Sequence, residues 1–401
     1  MHQFLQMAID FEQIKGFTEQ VYERVKSYRE YLHSHPELSY KEYNSSKFVI
    51  KTLTDLGIES SLIGGTGVVG VIYANHHEEN TPCIALRAEL DALPIQEENE
   101  VPYKSKNNGV MHACGHDVHT SILLGVAEII NQNRDQLRQP VKLIFQPGEE
   151  KNPGGATYVI RDGGMQMPEV EKMVALHVFP DLECGHFGFR EGLYMASCDE
   201  LHIEVQGLGG HGALPDRTVN PIFMGAEFIL EAKKYIDENT PKHVPSVINF
   251  GHFEATGATN VVPDKAFVKG TFRTMNETWR ESAKNELVKM AARISGDYNG
   301  DIKLTISHGY PFLKNDKVLT RLIRAIAEQN FGKDKVHQLP MRMTSEDFAY
   351  YSQLVPVCFF RLGIRNEKKG IVHGLHHPKF DIDSNSIKNG IQMFLSIVFA
   401  L

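Results

Sequence analysis

Nine consecutive residues, Met111-His112-Ala113-Cys114-Gly115-His116-Asp117-Val118-His119, hold three imidazoles, a thiol and a carboxylate. Donors this dense point to a metal ion, because a Cys-x-His step across a glycine turns a thiolate and an imidazole towards one point, a pair that suits zinc, manganese or a similar ion. The competing reading is a turn with a buried cysteine and an aspartate that caps the helix running into Ser121-Ile122-Leu123-Leu124. A metal centre needs further donors, and any that lie far off in sequence dictate how the chain must fold.

Three later segments offer them. Gln146-Pro147-Gly148-Glu149-Glu150 follows the apolar run Val141-Lys142-Leu143-Ile144-Phe145, so two adjacent carboxylates lie just past the C-terminal end of an expected buried strand, where α/β proteins build their sites. Met173-Val174-Ala175-Leu176-His177-Val178-Phe179 is a second apolar strand with one imidazole inside it, and Gly374-Leu375-His376-His377-Pro378 closes the set. Each has a dull alternative on its own: paired glutamates are usually solvated, and a single strand histidine is usually a satisfied core residue. Four separated clusters at strand ends and turns are hard to explain as packing. Five donors, Cys114, His116, Glu150, His177 and His376, are too many for one tetrahedral ion and suit two ions that share a bridge. A metal-bridged water has a lowered pKa, and Glu149, next to a ligand glutamate, is the natural base to take its proton.

These residues resemble the M20 metallopeptidase family. The resemblance rests on Arg87-Ala88-Glu89-Leu90-Asp91-Ala92-Leu93-Pro94-Ile95, the His-Ala-Cys-Gly-His-Asp and Gln-Pro-Gly-Glu-Glu segments, Gly210-His211-Gly212-Ala213-Leu214-Pro215, Asn260-Val261-Val262-Pro263 and Ser345-Glu346-Asp347-Phe348. More narrowly it is with the amidohydrolase branch of hippurate, auxin-conjugate and N-acyl-amino-acid hydrolases. It implies a dinuclear centre on Cys114, His116, Glu150, His177 and His376, with Glu149 as general base. The register favours His376 over the adjacent His377, which stands where the branch usually has a small polar residue. His211 is implied to stabilise the oxyanion, from its own or the partner subunit, and Asn260 and Arg273 to hold the substrate's carbonyl and carboxylate. An arginine fork suits a free carboxylate, although Arg273 also reads as a strand-surface charge. One departure stands out: relatives usually have Arg-Ala-Asp where this chain has Arg87-Ala88-Glu89, so Glu89 and Asp91 enter as residues that orient ligands, not as ligands.

Length and hydrophobic periodicity point to the architecture. At 401 residues the chain exceeds what one ordinary core holds. Helical periodicity at Val21 to His33, Lys41 to Leu56 and Thr120 to Ile130 alternates with strand-like runs at Val68 to Tyr73, Ile84 to Leu86 and around Leu143, which predicts an α/β fold with a mostly parallel or mixed sheet. From Cys198 the texture changes. Leu201 to Val205 alternates, Pro221 to Tyr235 is amphipathic, Ala266 to Phe272 reads as a strand, and Leu287, Met290, Ala291 and Ile294 mark a helix face. For His376 to join Cys114 and His177 this block must be an insertion. We therefore expect a mixed-sheet α/β catalytic domain of the zinc-peptidase type over 1–197 and 312–401, with a smaller α+β satellite over 198–311 that the resemblance assigns to closing the site and to dimerisation.

A net charge of −8 argues against nucleic acid, and no run of 18 apolar residues is present to span a membrane. Met1 to Gly16 lacks the apolar block and small-residue site of a leader, so the cytoplasm is the expected compartment. Five cysteines are too few and odd in number for a disulfide framework; Cys83, Cys184, Cys198 and Cys358 read as core residues. Gly207-Leu208-Gly209-Gly210-His211-Gly212 and Gly65-Thr66-Gly67-Val68-Val69-Gly70 match a dinucleotide-binding spacing, but Pro215 and Pro221 delay the helix after the first and a strand follows the second. The expected activity is hydrolysis of the amide of an N-acyl amino acid or a related small conjugate. A dipeptidase or aminopeptidase of the same family, and a catalytically silent binding protein, are the alternatives. Manganese or zinc is expected, with cobalt or nickel also acceptable to the donors.

Overall fold

The core element is an eight-stranded sheet in the order Ser60–Ile63, Gly67–Ile72, Val141–Gln146, Cys83–Glu89, Val170–Glu183, Val357–Arg365, Phe187–Phe189, Val336–Gln338. It is mixed, as the alternation of strands and helices implied. Cys83–Glu89 runs parallel to both of its neighbours, and Val357–Arg365 parallel to Val170–Glu183, whereas Gly67–Ile72 is antiparallel on each side. Cys83–Glu89 and Val141–Gln146 are buried at every position, the condition of central strands covered on both faces, so they read as continuous runs instead of alternating ones. The helices Phe11–Ser34, His116–Gln132 and Asn385–Ala400 pack against one another around this sheet. The computed structural model describes residues 9–78 and 81–401; the first eight residues of the Met1–Gly16 stretch lie outside them.

The first helix starts well before the expected Val21. Asp10 caps it by accepting from the Gln13 amide at 2.8 Å, while the Gln13 side chain accepts from the Asp10 amide at 3.1 Å, a reciprocal cap that satisfies two otherwise orphaned N–H groups. None of the described helices is long and apolar enough to cross a membrane.

Two compact units divide the chain. One runs to Gly192 and resumes over Lys314–Pro340 and Tyr350–Leu401; the other comprises Leu193–Leu313 with Met341–Ala349. The second unit has a four-stranded antiparallel sheet, ordered Ser246–Glu254, Lys265–Thr274, Asp199–Gln206, Asp301–His308, with helices Pro221–Asn239 and Glu277–Tyr298. Leu201, Ile203 and Val205 alternate into its core against Phe228 and Leu287, so one face of the sheet is apolar and the other wet. Arg280 is fully buried there and grips both oxygens of Asp199 at 2.7 Å, with Gly309 O at 2.9 Å. Neither glycine-rich match opens an α-helix: Gly67–Ile72 is a strand, and beyond Gly212 only a three-residue 3-10 turn at Pro215–Arg217 precedes the α-helix that starts at Pro221, capped by Asn220. The pyrophosphate seat of a dinucleotide site has no counterpart at either place.

All five cysteines are unpaired. Cys83 and Cys358 are buried, and burial pushes their thiols up to about 11 and about 12. Cys184 and Cys198 are only half-buried, which corrects the expectation of four core cysteines: Cys184 lies in the turn after Val170–Glu183 and Cys198 just before the strand that starts at Asp199.

Asp383, buried just before the last helix, accepts from the Asn385 amide at 3.1 Å, from Lys369 Nζ at 3.0 Å and from the Asn366 side chain. Burial opposes its charge, but these donors together hold the carboxyl below its ordinary value. A lowered folded value makes its contribution present above the unfolded value of about 3.9 and lost as pH falls through the folded one. Asp383→Asn should therefore melt below the wild type at pH 6, with the gap closing towards pH 2; melting temperatures for both proteins across that range are the check, and a constant gap would refute it.

Candidate metal centre

The donors gather where the parallel strands of the first unit end. Cys83–Glu89 stops at the level of Gln146, Glu149 and Glu150 follow in the turn beyond Gln146, and Val170–Glu183 carries His177. The helix bearing His116 begins directly after Gly115, whose φ is +83°. A Cβ there would fall 2.4 Å from Val178 Cγ2, so only glycine lets the Cys-x-His step press against the His177 strand.

Ligand atoms of Cys114, His116 and His177 lie within 4.8 Å of one another; so do those of Cys114, Glu150 and His376, and those of His116, Glu149 and Glu150. Cys114 and Glu150 each link two of these groups, so all five expected donors and Glu149 form one connected cluster. Cys114 Sγ is 3.4 Å from His177 Nε2, and His376 Nε2 is 3.3 Å from Glu150 Oε1. His377 turns away, stacking on His373 with ring centroids 4.3 Å apart.

Imidazole orientation is set from behind. His116 Nδ1 lies 2.8 Å from the Asp91 carbonyl and 3.2 Å from Asp91 Oδ1, and His177 Nδ1 lies 2.8 Å from the Val178 carbonyl. A nitrogen facing a carbonyl must carry a proton, so each ring turns its Nε2 to the cluster as the nitrogen available to a metal. His116 Nε2 is buried and has no hydrogen-bond partner. A buried ring nitrogen left without a partner in a closed pocket costs free energy that a divalent cation, displacing any proton there, would recover, so the residues present fit a metal centre.

The charges agree. Burial first, then the Glu150 and Glu149 carboxylates, push the Cys114 thiol well above its usual range. Burial, with Arg361 next, holds His177 well below the ordinary imidazole value and keeps it neutral. At His116 burial acts against the proton, but Glu89 and Asp91 outweigh it and hold the ring up to about 10. A cluster that retains protons at such positions is one in which cations and protons compete.

Asp91 ties the centre together: besides His116 it accepts from the Glu150 amide at 2.9 Å and the Ser39 hydroxyl at 2.7 Å. Glu89 pairs with Arg87 and takes the Nδ1 proton of His119 at 2.7 Å, while His119 Nε2 accepts from the Val178 amide at 2.9 Å. Both His119 nitrogens are therefore committed, although the ring lies near His116 and Glu89. Asp117 also leaves the cluster, pairing with Arg29 and His33 at 2.8 Å each. The density of donors over 111–119 thus divides: Cys114 and His116 face the cluster, while Asp117 and His119 are bonded to residues around it. Ser39, Arg29 and His33 carry no motif that singled them out.

In the second unit, His211 sits in a two-residue strand paired with Val261–Val262, next to Asn260, whose carbonyl accepts from the Gly212 amide at 2.8 Å. His211 Nδ1 accepts from the Ala213 amide at 3.1 Å, so a neutral ring carries its proton on Nε2. Arg273 Nη1 donates to the Met343 carbonyl and the Ser345 hydroxyl, each at 3.2 Å.

Comparison with known proteins places the chain in a family. The profile of Peptidase family M20/M25/M40 matches residues 85–400. An N-acetyl-L-cysteine deacetylase of Bacillus subtilis (strain 168) is 35% identical over 360 residues, covering 90% of this chain and 83% of the relative. Thermostable carboxypeptidase 2 of Saccharolobus solfataricus is 35% identical over 383 residues, covering 94% and 95%. The crystal structure of Bacillus subtilis YXEP protein, described as a dinuclear metal binding peptidase, superposes with a TM-score of 0.80 at 29% identity, covering 95% of this chain and 98% of that one. The chain belongs to the M20/M25/M40 peptidase family.

Proposed function

We propose that this chain hydrolyses the amide bond between an acyl group and an amino acid, using two divalent ions held by Cys114, His116, Glu150, His177 and His376. The observation that carries this reading is the buried, unpartnered Nε2 of His116 inside the connected donor cluster. Two such ions, when bound, lower the pKa of a water and polarise a carbonyl. Glu149 is buried beside His116 and Glu150; its carboxylate takes the proton of the attacking water and returns it to the nitrogen of the departing amine. Glu89 and Asp91 hold the rings of His119 and His116 in place. His211 is assigned to the oxyanion, a role that its Nε2–H supports, and Asn260 and Arg273 to the substrate's carbonyl and carboxylate.

Manganese or zinc is the metal we infer. We place the satellite at 198–311 and the catalytic domain at 1–197 and 312–401, and infer a homodimer formed through the satellite. Exposed Phe223, Leu230 and Val288 on its two helices favour self-association. Unpaired cysteines suit the reducing cytoplasm.

The likeness to carboxypeptidases favours a second reading, in which short peptides are the substrates. Both reactions break an amide, so a panel of N-acyl amino acids and dipeptides offered to metal-reconstituted protein separates them. Turnover should vanish after chelation and return with metal; no turnover of either class would overturn both readings. Cys114→Ser should leave less metal after dialysis than the wild type, because a hydroxyl is a poor substitute for thiolate. Equal metal content in the two proteins counts against its place among the ligands.

A further inference from the structure

The turn that carries Glu149 and Glu150 has a demanding shape. Adjacent residues of an extended strand face opposite ways, whereas these two glutamates both meet His116. Gly148 supplies the bend with φ +56°, and the Gly155 amide closes the turn onto the Gly148 carbonyl at 3.0 Å. Lys151 at its tip is exposed, so the turn needs support from beneath.

That support comes from the segment between the first two helices. Tyr40 OH donates to the Lys151 carbonyl at 2.7 Å and accepts from the Gly154 amide at 3.1 Å, spanning the turn. Its ring lies so close over Gly148 that a Cβ there would fall 2.3 Å from Tyr40 Cε1. Glu42 is fully buried; one carboxylate oxygen accepts from the Gly148 amide at 2.7 Å and the Tyr40 amide at 2.9 Å, and the other accepts from the Thr66 hydroxyl. Ser39 reaches the same turn through Asp91, which accepts the Glu150 amide. Tyr40 itself has φ +64°, a left-handed conformation that a bulky residue adopts only where its surroundings impose it.

We infer that Tyr40 and Glu42 are positioning residues for the reaction, holding the Gly148–Gly154 turn in the one shape that aims Glu149 and Glu150 into the same cavity. The inference rests on the roles proposed above for those two glutamates. A general base displaced by a fraction of an ångström loses rate, not affinity. The clamp thus acts on kcat: substrate and ions are bound by other residues, and Glu150 keeps its link to Asp91.

The test uses the full chain reconstituted with metal. Tyr40→Phe removes the hydroxyl, with its bonds to the Lys151 carbonyl and the Gly154 amide, and keeps the ring over Gly148. It is expected to lower kcat at least tenfold with KM within twofold and metal content unchanged, and to speed hydrogen exchange of the amides of residues 148 to 154 at least tenfold. Glu42→Gln, which keeps one acceptor oxygen for the Gly148 amide, should fall between Tyr40→Phe and the wild type. A residue that merely stabilised the fold would reduce the amount of folded protein and leave kcat per folded, metal-loaded molecule untouched. Tyr40→Phe with kcat within twofold of wild type, or with a loss that disappears on that normalisation, overturns the inference. Glu149→Gln run alongside separates the two failures: if it stays active the base role proposed for Glu149 falls, and if it is dead while Tyr40→Phe is normal only the clamp falls.

Discussion

Glu149→Gln is expected to lower kcat by about 10²–10⁴-fold, the usual weight of a positioned general base, while metal content stays at the wild-type level. The amide keeps the shape of the carboxylate and its place beside His116 and Glu150, but it cannot accept a proton from the attacking water. The loss corresponds to about 3–5 kcal/mol of barrier. It should fall on kcat more than on KM, because the missing step belongs to the transition state. Steady-state rates on an N-acyl amino acid, together with metal analysis of the same sample, check both halves. Activity close to wild type would remove Glu149 from the mechanism, and loss of metal would move it among the ligands.

Arg29→Met should destabilise the first unit by about 3–5 kcal/mol, the range for breaking a buried pair by removing one partner. Arg29 reaches from the first helix to Asp117 and to Asp381, at 2.8 Å in both cases, and lies over the ring of Tyr103 at 4.5 Å. Burial works against its charge, yet the two aspartates raise its pKa further; Asp117, buried as well, is held far below the ordinary carboxyl value chiefly by Arg29 and His33 against that same burial. Methionine restores the volume and leaves Asp117 facing His33 alone. Urea unfolding compares midpoints at equal m-value; a difference below about 1 kcal/mol would show that water or His33 makes good the loss.

How much of the centre could be read from the chain depended on whether the signal was local. Glu149 and Glu150 announce themselves because a turn follows a continuous apolar run, and His177 because an imidazole interrupts one. Asp117 and His119 were indistinguishable from ligands in a donor-rich stretch. In a helix with 3.6 residues per turn successive side chains diverge by about 100°, so Asp117, one step after His116, points to the first helix instead. His112 is buried, with neither nitrogen bonded, and burial foremost brings its pKa down to about 4. Tyr40, Glu42 and Arg29 were unreadable for another reason: their partners lie scores of residues away, and a charged or aromatic residue at a helix end or on a helix looks the same whether it faces water or a buried turn. The first helix began at Phe11 and not Val21 because the Asp10 cap, not the apolar stripe, sets its start.

The large sheet ends in Ser60–Ile63 on one side and Val336–Gln338 on the other, four and three residues long. Long open margins recruit strands from neighbouring molecules, and stubs this brief offer little to recruit with. With its longest parallel strands in the middle, this sheet thus offers little margin through which copies could zip together by their backbones, whether concentrated or crowded during synthesis.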